Sequence, residues 1–209
     1  EHELDILPVL EDPDRPIYRD VHPMLLKPAF RLAIVGASAS GKSNYLMNLF
    51  RGKYYGGKEP CFNRVYVFSP NLGLDSTTRE LKNICGENNM YMRYKDSILD
   101  GIIERQKLLG DARDRVLIVA DDLIALGCSP LAKIFTSSTY LRHLDCSIIY
   151  LTQTFSGHYS IPPVVKQNLE GCVMFRCPSN KQIEAFAQDL QGTFGEKDSI
   201  KAMLEDTTK

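Results

Sequence analysis

Short, unbroken hydrophobic runs alternate along the chain with segments whose apolar residues recur at helical spacing. The runs are rich in Val and Ile, which predicts strands that are buried on both faces of a sheet. Strands that alternate with helices are typical of an α/β fold, in which a mostly parallel central sheet is flanked by helices on both faces. The predicted strands are RLAIV (31–35), RVYVF (64–68), VLIVA (116–120), CSIIYLT (146–152) and GCVMFR (171–176).

The segments between these runs predict helices, and the N-terminal end predicts less regular structure. Residues 1–29 are rich in Pro and acidic side chains and lack sustained periodicity, so we expect an extended N-terminal arm. Residues 30–209 then form one domain, because no internal repeat or long linker divides them. The predicted helices cover 42–51, 75 or 76 to 84, 98–109, 131–144 and 181–190.

Composition narrows the class of protein only modestly. The chain has 209 residues, 44% hydrophobic and 24% charged, which fits a domain with a substantial core. No apolar run approaches the roughly 18 residues that a membrane span needs.

The net charge is −1, so a protein that binds nucleic acid would need its basic residues concentrated locally, for instance by assembly into a ring. None of the six cysteines has zinc-site spacing, which favours buried, reduced thiols in a reducing compartment.

The strongest motif follows the first predicted strand. Gly36-Ala-Ser-Ala-Ser-Gly41-Lys42-Ser43 matches G-x-x-x-x-G-K-[ST] at every fixed position. A strand enters this segment and a helix leaves it, which argues against a chance match in a Gly/Ser-rich turn. The glycines allow consecutive backbone N–H groups to point at phosphates, and the helix N-terminus adds partial positive charge.

This segment is therefore a predicted P-loop that binds and hydrolyses ATP. We expect the Lys42 ammonium to reach the β- and γ-phosphates and the Ser43 hydroxyl to ligate Mg²⁺. The predicted nucleotide-binding residues are Gly36, Ala37, Ser38, Ala39, Ser40, Gly41, Lys42, Ser43 and Asn44.

Two carboxylates at the end of the third predicted strand indicate the metal side of the same site. Asp121 and Asp122 follow VLIVA directly. In P-loop enzymes the first acid at such a strand end holds the Mg²⁺ shell, and the second polarises the attacking water. These roles fall to Asp121 and Asp122. Many ATPases use the longer Glu at the second place, so the group that positions the water stays open, as does the plainer interpretation of two acids that cap a helix.

Gln153 closes the run SIIYLTQ at the carboxyl end of the next strand. Ligands of parallel sheets gather at the carboxyl ends of the strands. A neutral amide at that place can hydrogen-bond both the γ-phosphate and the attacking water. The alternative is a solvent-facing Gln in a loop.

With these motifs in place, the downstream half resembles the FtsK/HerA superfamily of DNA-pumping P-loop ATPases. The run Arg142-His-Leu-Asp-Cys-Ser-Ile-Ile-Tyr-Leu-Thr-Gln153 is similar to that superfamily's pattern, and 164–168 and 172–177 look like its next helix and strand. The short chain and the Asp-Asp ending are most similar to the viral, poxvirus-like genome-packaging ATPases. The likeness covers roughly Phe30 to Leu190 and implies a RecA/FtsK-like fold.

The resemblance implies a motor that hydrolyses ATP to translocate double-stranded viral DNA into a capsid. It implies a ring, a hexamer or pentamer, in which an arginine of one subunit reaches the γ-phosphate held by its neighbour. Arg142 occupies the matching position, and Arg176 is the second choice. The implied partners are double-stranded DNA, further copies of the chain and capsid vertex proteins, without a membrane. The implied location is the host cytoplasm or viral factory, transiently at the capsid.

Several alternatives stay open. The poxvirus-like group continues with another apolar strand after the position of Lys209, which here was truncated, removed or never present. The segment 51–58 (RGKYYGGK) combines basic, aromatic and flexible residues that either contact DNA or are merely solvated. His158 and Tyr159 lie where a loop could couple nucleotide state to a neighbour or a pore.

Two other classes of function also fit a P-loop. A small-molecule P-loop kinase would use the same loop, but such kinases usually need an arginine-rich lid, and the arginines here are dispersed. A slow, nucleotide-dependent assembly module is the third class, and the acids at 121 and 122 argue instead for real turnover.

Overall fold

One parallel sheet organises the part of the chain that the computed structural model describes, residues 25–50, 55, 60–72, 76–124, 127–157, 160–175, 180–191 and 195–207. Its strand order is β3-β2-β4-β5-β1-β6, and every neighbouring pair is parallel. Because all strands point the same way, their carboxyl ends meet at one edge of the sheet. The strands are β1 (Arg31–Val35), β2 (Arg64–Phe68), β3 (Met90–Tyr91), β4 (Val116–Asp121), β5 (Cys146–Thr152) and β6 (Gly171–Met174).

Helices cover both faces of this sheet. Side chains of α1 and α2, such as Leu46 and Leu81, pack with Ile34 and Leu117 on one face. Side chains of α3 to α8 pack on the other face, where alternate strand residues such as Ala33 point. The helices are α1 (Lys42–Leu49), α2 (Ser76–Cys85), α3 (Asp96–Leu109), α4 (Lys133–Thr136), α5 (Ser138–Arg142), α6 (Pro163–Lys166), α7 (Asn180–Leu190) and α8 (Lys197–Thr207).

The predicted α/β fold class is confirmed, two of the helix and strand predictions need correction, and two elements were missed. The predicted helix 131–144 is wrong, because the segment forms two short helices that meet at Ser137. Its run of β-branched residues and serines, IFTSST, consists of poor helix formers. The strand predicted to reach residue 176 ends at Met174, and the sequence-based prediction missed the two-residue strand β3 and helix α8. The predicted arm at 1–29 lies mostly outside the described residues.

The order of strands decides which side chains can meet. β5 lies between β1 and β4, with Val35 paired to Thr152 and Asp121 paired to Leu151. The loop that follows β1 is therefore one strand away from the carboxylate at the end of β4. The residue after β5 is Gln153, and the register places it between the two.

The described cysteines form no disulfide among themselves. Cys61, Cys128, Cys146 and Cys172 are free thiols, and burial raises the pKa of Cys146 to about 12. Within the described ranges, none of the helices combines the length and apolar character that crossing a bilayer requires.

Candidate nucleotide-binding site

The P-loop, residues 36–43, connects β1 to α1 in a conformation that needs its two glycines. The Gly36 N–H donates to the Thr152 carbonyl at 3.1 Å, which ties the start of the loop to the end of β5. A Cβ atom on Gly36 would lie 2.6 Å from Ser40 Oγ and 2.7 Å from Phe175 Cβ, so a larger residue does not fit. Gly41 caps α1 with a φ of 101°, a backbone conformation that side chains rarely adopt. The loop thus presents the N-terminus of α1 to the carboxyl edge.

Lys42 is the charged group of this loop. Its side chain is buried, and the ammonium donates to the carbonyls of Gly36 and Ala37 at 2.6 and 2.8 Å. Burial lowers the pKa of Lys42, and the carboxylates of Asp122 and Asp121 oppose that shift. Both hydrogen-bond partners are neutral carbonyls of the loop itself, so a phosphate oxygen is a stronger partner that can replace them.

Asp121, at the end of β4, is oriented by a residue that the sequence-based prediction missed. Ser69 follows β2, the strand next to β4, and its hydroxyl donates to Asp121 Oδ2 at 2.7 Å. Ser69 is only 2% exposed, and its N–H donates to the Tyr91 carbonyl, so both ends of the residue are fixed. Ligands of parallel sheets gather at the carboxyl ends of the strands, and this rule, which pointed to Gln153, applies equally to Ser69.

Asp122 and Gln153 form a second pair at the same edge. Gln153 Nε2 donates to Asp122 Oδ2 at 2.9 Å. The Asp122 N–H donates to the Leu151 carbonyl, and its φ is 47°, in the left-handed region. Asp tolerates this region better than most residues, because its short side chain can bond locally. The backbone itself therefore favours Asp at this position.

These residues line one open cavity of about 270 Å³ between the P-loop and the ends of β4 and β5. Carboxylate and hydroxyl oxygens are the donors that Mg²⁺ prefers, so the lining fits a magnesium ion. Among the described residues, no group of three or more His, Cys, Asp or Glu side chains could hold a metal by itself. In nucleotide enzymes, waters and substrate phosphates usually complete the Mg²⁺ shell. The polar lining includes Lys42, Ser43, Ser69, Asp121, Asp122 and Gln153.

The remaining predicted nucleotide-binding residues also lie in or beside the loop. Ser38, Ala39 and Ser43 line the cavity, and Ser43 is exposed. Asn44 is exposed in the first turn of α1. The Ser40 hydroxyl is buried and accepts or donates no hydrogen bond among the described residues. Of the predicted nucleotide-binding residues, those that line the cavity are therefore Ser38, Ala39, Lys42 and Ser43.

Arg142 lies apart from this group. It ends α5 just before β5 begins, at the amino edge of the sheet, while the cavity is at the carboxyl edge. The seven residues of β5 span about 23 Å, so Arg142 is far beyond hydrogen-bond distance of its own chain's P-loop. Its side chain is 55% exposed, and Nη1 lies 3.3 Å from Glu170 Oε1. Arg176, His158, Tyr159 and the basic residues of 51–58 lie outside the described residues.

A parallel sheet with a P-loop after β1 and carboxylates after β4 defines a P-loop NTPase. The model of the family described as Poxvirus A32 protein matches residues 19–204. The chain therefore belongs to that family, and the resemblance to the poxvirus-like group is confirmed.

Solved structures show the same fold at low sequence identity. The genome packaging NTPase B204 from Sulfolobus turreted icosahedral virus 2, in complex with AMP, matches with a TM-score of 0.57 and 14% identity over 84% of this chain and 88% of that one. B204 described as the DNA-packaging ATPase from Sulfolobus Turreted Icosahedral Virus matches with a TM-score of 0.56 and 14% identity, over 85% and 89% of the two chains. No curated protein matches the sequence.

Proposed function

We propose that this chain is the ATPase subunit of a viral DNA-packaging motor, which hydrolyses ATP to drive double-stranded DNA into a capsid. Membership of the Poxvirus A32 protein family supports this, as do the packaging NTPases among its structural relatives. The observation that carries the proposal is the separation of Arg142 from the P-loop by the full length of β5. Arg142 can therefore act only on a nucleotide that a second copy holds.

In the proposed reaction the P-loop holds the triphosphate. Its backbone N–H groups and the N-terminus of α1 bind the phosphate oxygens. The Lys42 ammonium exchanges its two carbonyl partners for β- and γ-phosphate oxygens, and it stays protonated because those oxygens are anionic. The close packing of Gly36 against Phe175 keeps the loop from moving away from the phosphates.

Ser43 and Asp121 are the residues that would hold Mg²⁺. When bound, that ion polarises the phosphate oxygens and offsets their charge. Ser69 donates to Oδ2 of Asp121, which lines the cavity, and so orients this carboxylate.

Asp122 and Gln153 are placed to handle the attacking water. The water attacks the γ-phosphorus, the bond from phosphorus to the β–γ bridging oxygen breaks, and ADP leaves with that electron pair. Asp122 accepts the proton that the water loses. Gln153 orients the water with its amide. Because Gln153 follows β5 directly, its change of position when the γ-phosphate leaves also moves the end of that strand.

Arg142 completes the site of the neighbouring copy. Its guanidinium would neutralise charge on the γ-phosphate in the transition state, as arginine fingers do. A ring of subunits provides such a neighbour at every site. Release of γ-phosphate in one subunit then removes the ligand that Arg142 of the next subunit binds. The resulting shift of one subunit against the other is what would move the DNA.

Steady-state ATP hydrolysis with and without double-stranded DNA tests this proposal. DNA should stimulate turnover of the wild type. Arg142→Ala should lose on the order of 10³-fold in turnover while binding ATP normally, because the missing group acts only in the transition state. Mixing it with Asp122→Ala should restore part of the activity, since Asp122→Ala subunits still supply the arginine.

Arg105→Ala is the matched control. Arg105 is 45% exposed and also pairs with a single carboxylate, that of Asp114, so its loss should leave turnover within about twofold of wild type. Wild-type turnover of Arg142→Ala, together with no effect of DNA, would remove the proposed motor and leave only a nucleotide-binding fold.

A further inference from the structure

Arg31 is a buried arginine that the nucleotide site does not use. It is 1% exposed and begins β1 at the amino edge of the sheet. Nε donates to the Ser138 carbonyl, and Nη1 donates to the carbonyls of Phe30 and Cys146, at 2.8 to 2.9 Å; Nη2 also bonds the Ser138 carbonyl. A buried cation is costly unless it is fully hydrogen-bonded, and an apolar side chain of similar size is often the more stable choice. Its presence calls for a reason beyond stability.

Two of the three carbonyls that Arg31 binds, those of Ser138 and Cys146, belong to the segment that carries Arg142. Ser138 is the first residue of α5, and Arg142 is the last. Cys146 is the first residue of β5, four positions after Arg142. One guanidinium therefore holds both ends of the segment 138–146 against the start of β1.

Glu170 connects Arg31 to Arg142 a second time. The Glu170 N–H donates to the Arg31 carbonyl at 2.9 Å, and its Oε1 lies 3.3 Å from Arg142 Nη1. That oxygen is buried and, in the described part of the chain, has no hydrogen-bond partner beyond this ion pair. Burial lowers the pKa of Arg31, the Glu170 carboxylate opposes the shift, and the Arg142 charge adds to it. The three side chains therefore share one electrostatic environment.

We propose that Arg31 is a positioning residue for Arg142, which fixes α5 so that the Arg142 guanidinium is presented to the nucleotide of a neighbouring copy. This inference rests on the proposed function, in which Arg142 acts in trans. Arg31 cannot touch its own chain's nucleotide, because the five residues of β1, about 16 Å, separate it from the P-loop. Loss of Arg31 therefore impairs the Arg142 guanidinium that a subunit supplies to its neighbour, but not the subunit's binding of its own nucleotide.

The test compares Arg31→Met and Arg31→Lys with Arg142→Ala. Lys keeps the charge and guards against failure to fold, but one ammonium cannot bridge the Ser138 and Cys146 carbonyls as the guanidinium fork does. Each variant is measured for ATP affinity and for DNA-stimulated turnover, alone and in an equimolar mixture with Asp122→Ala. ATP affinity should stay within about twofold of wild type, turnover alone should fall at least about tenfold, and the mixture should regain activity as it does for Arg142→Ala.

Two combinations separate positioning from general damage. A mixture of Arg31→Lys with Arg142→Ala should stay inactive, because neither subunit supplies a working arginine. The double variant should be no less active than Arg142→Ala alone, since the two residues act as one unit. Tyr55→Phe, which removes a part-buried hydrogen bond to the Leu26 carbonyl on the opposite face of the sheet, should lower stability without a loss of turnover that mixing repairs.

The outcomes distinguish this inference from the proposed function. If Arg142→Ala is inactive and rescued by mixing but the Arg31 variants are not rescued, Arg31 is structural and the inference is overturned. If Arg142→Ala turns over normally, Arg142 does not act in trans and the inference fails. The proposed function fails with it only if double-stranded DNA also has no effect on wild-type turnover.

Discussion

The two edges of the sheet use polar side chains in different ways. At the amino edge, Arg31 and Gln106 are fully buried and donate to main-chain carbonyls of neighbouring segments. At the carboxyl edge, side chains bond each other in pairs around an open cavity: Ser69 with Asp121, and Gln153 with Asp122. A hydrogen bond from a side chain to a backbone carbonyl fixes a segment of the chain. A hydrogen bond between two side chains can instead be replaced by a bond to a ligand, at little cost in free energy.

Lys42 shows that the location of the bonded carbonyls, and not burial alone, separates the two kinds of polar side chain. It is buried and bonds two carbonyls, as Gln106 does, yet those carbonyls belong to the loop that must receive phosphate. Gln106 instead joins the Asp114 and Leu144 carbonyls, which precede β4 and β5. Variants at the two edges should therefore change different quantities: ligand affinity at the carboxyl edge, and the free energy of unfolding at the amino edge.

Among the variants that compare the two edges, the largest effect is expected for Lys42→Ala. Removing the charged hydrogen bonds to phosphate should raise the ATP dissociation constant on the order of 100-fold, about 3 kcal/mol. The free energy of unfolding should not fall, since the variant removes a desolvated cation from an otherwise neutral loop. Equilibrium titration with ATP and chemical unfolding measure the two quantities. Lys107→Ala, at an exposed lysine, should change neither, and a large loss of stability in Lys42→Ala would contradict the division between the edges.

Gln106→Leu should show the opposite pattern. It leaves the buried carbonyl of Leu144 and the part-buried carbonyl of Asp114 without their donor, so the free energy of unfolding should fall by about 2 kcal/mol. The ATP dissociation constant should stay unchanged, because no part of Gln106 lies near the cavity lining. Urea unfolding gives the stability, and Gln188→Leu, at an exposed position, is the neutral control. Weaker ATP binding at full stability would argue that the amino edge reaches the nucleotide.

The smallest effect is expected for Ser69→Ala. Asp121 loses one fixed hydrogen bond, so the Mg²⁺ concentration for half-maximal nucleotide binding should rise about fivefold. Nucleotide binding without Mg²⁺ should be unaffected. A fluorescent ATP analogue titrated at several Mg²⁺ concentrations separates the two cases. Ser129→Ala, at an exposed serine, is the control, and an equal loss with and without Mg²⁺ would assign Ser69 to the fold alone.

Local patterns predicted most of the carboxyl edge. The P-loop is a contiguous motif, and the strand-end rule brought Asp121, Asp122 and Gln153 to the same edge before their register was known. Their chemical roles stay predictions. Ser69 was missed because a single serine after a strand belongs to no motif, although the same rule applies to it.

The amino edge was much harder to predict. Arg31 sits at the start of a hydrophobic run, where an exposed strand end is the ordinary expectation, yet it is buried and bonds carbonyls of α5 and β5. No periodicity at 131–144 indicates the break at Ser137. Contacts between segments distant in the chain decide both features.

The left-handed backbone at Asp122 limits how this position can change over generations. Most single-base changes in an Asp codon give residues that fit a φ of 47° poorly, and the two that fit well, Asn and Gly, carry no charge. Glu keeps the charge but not the short side chain that suits this conformation. Every single-base change that replaces Asp at position 122 therefore loses either the negative charge or a side chain that suits the left-handed backbone.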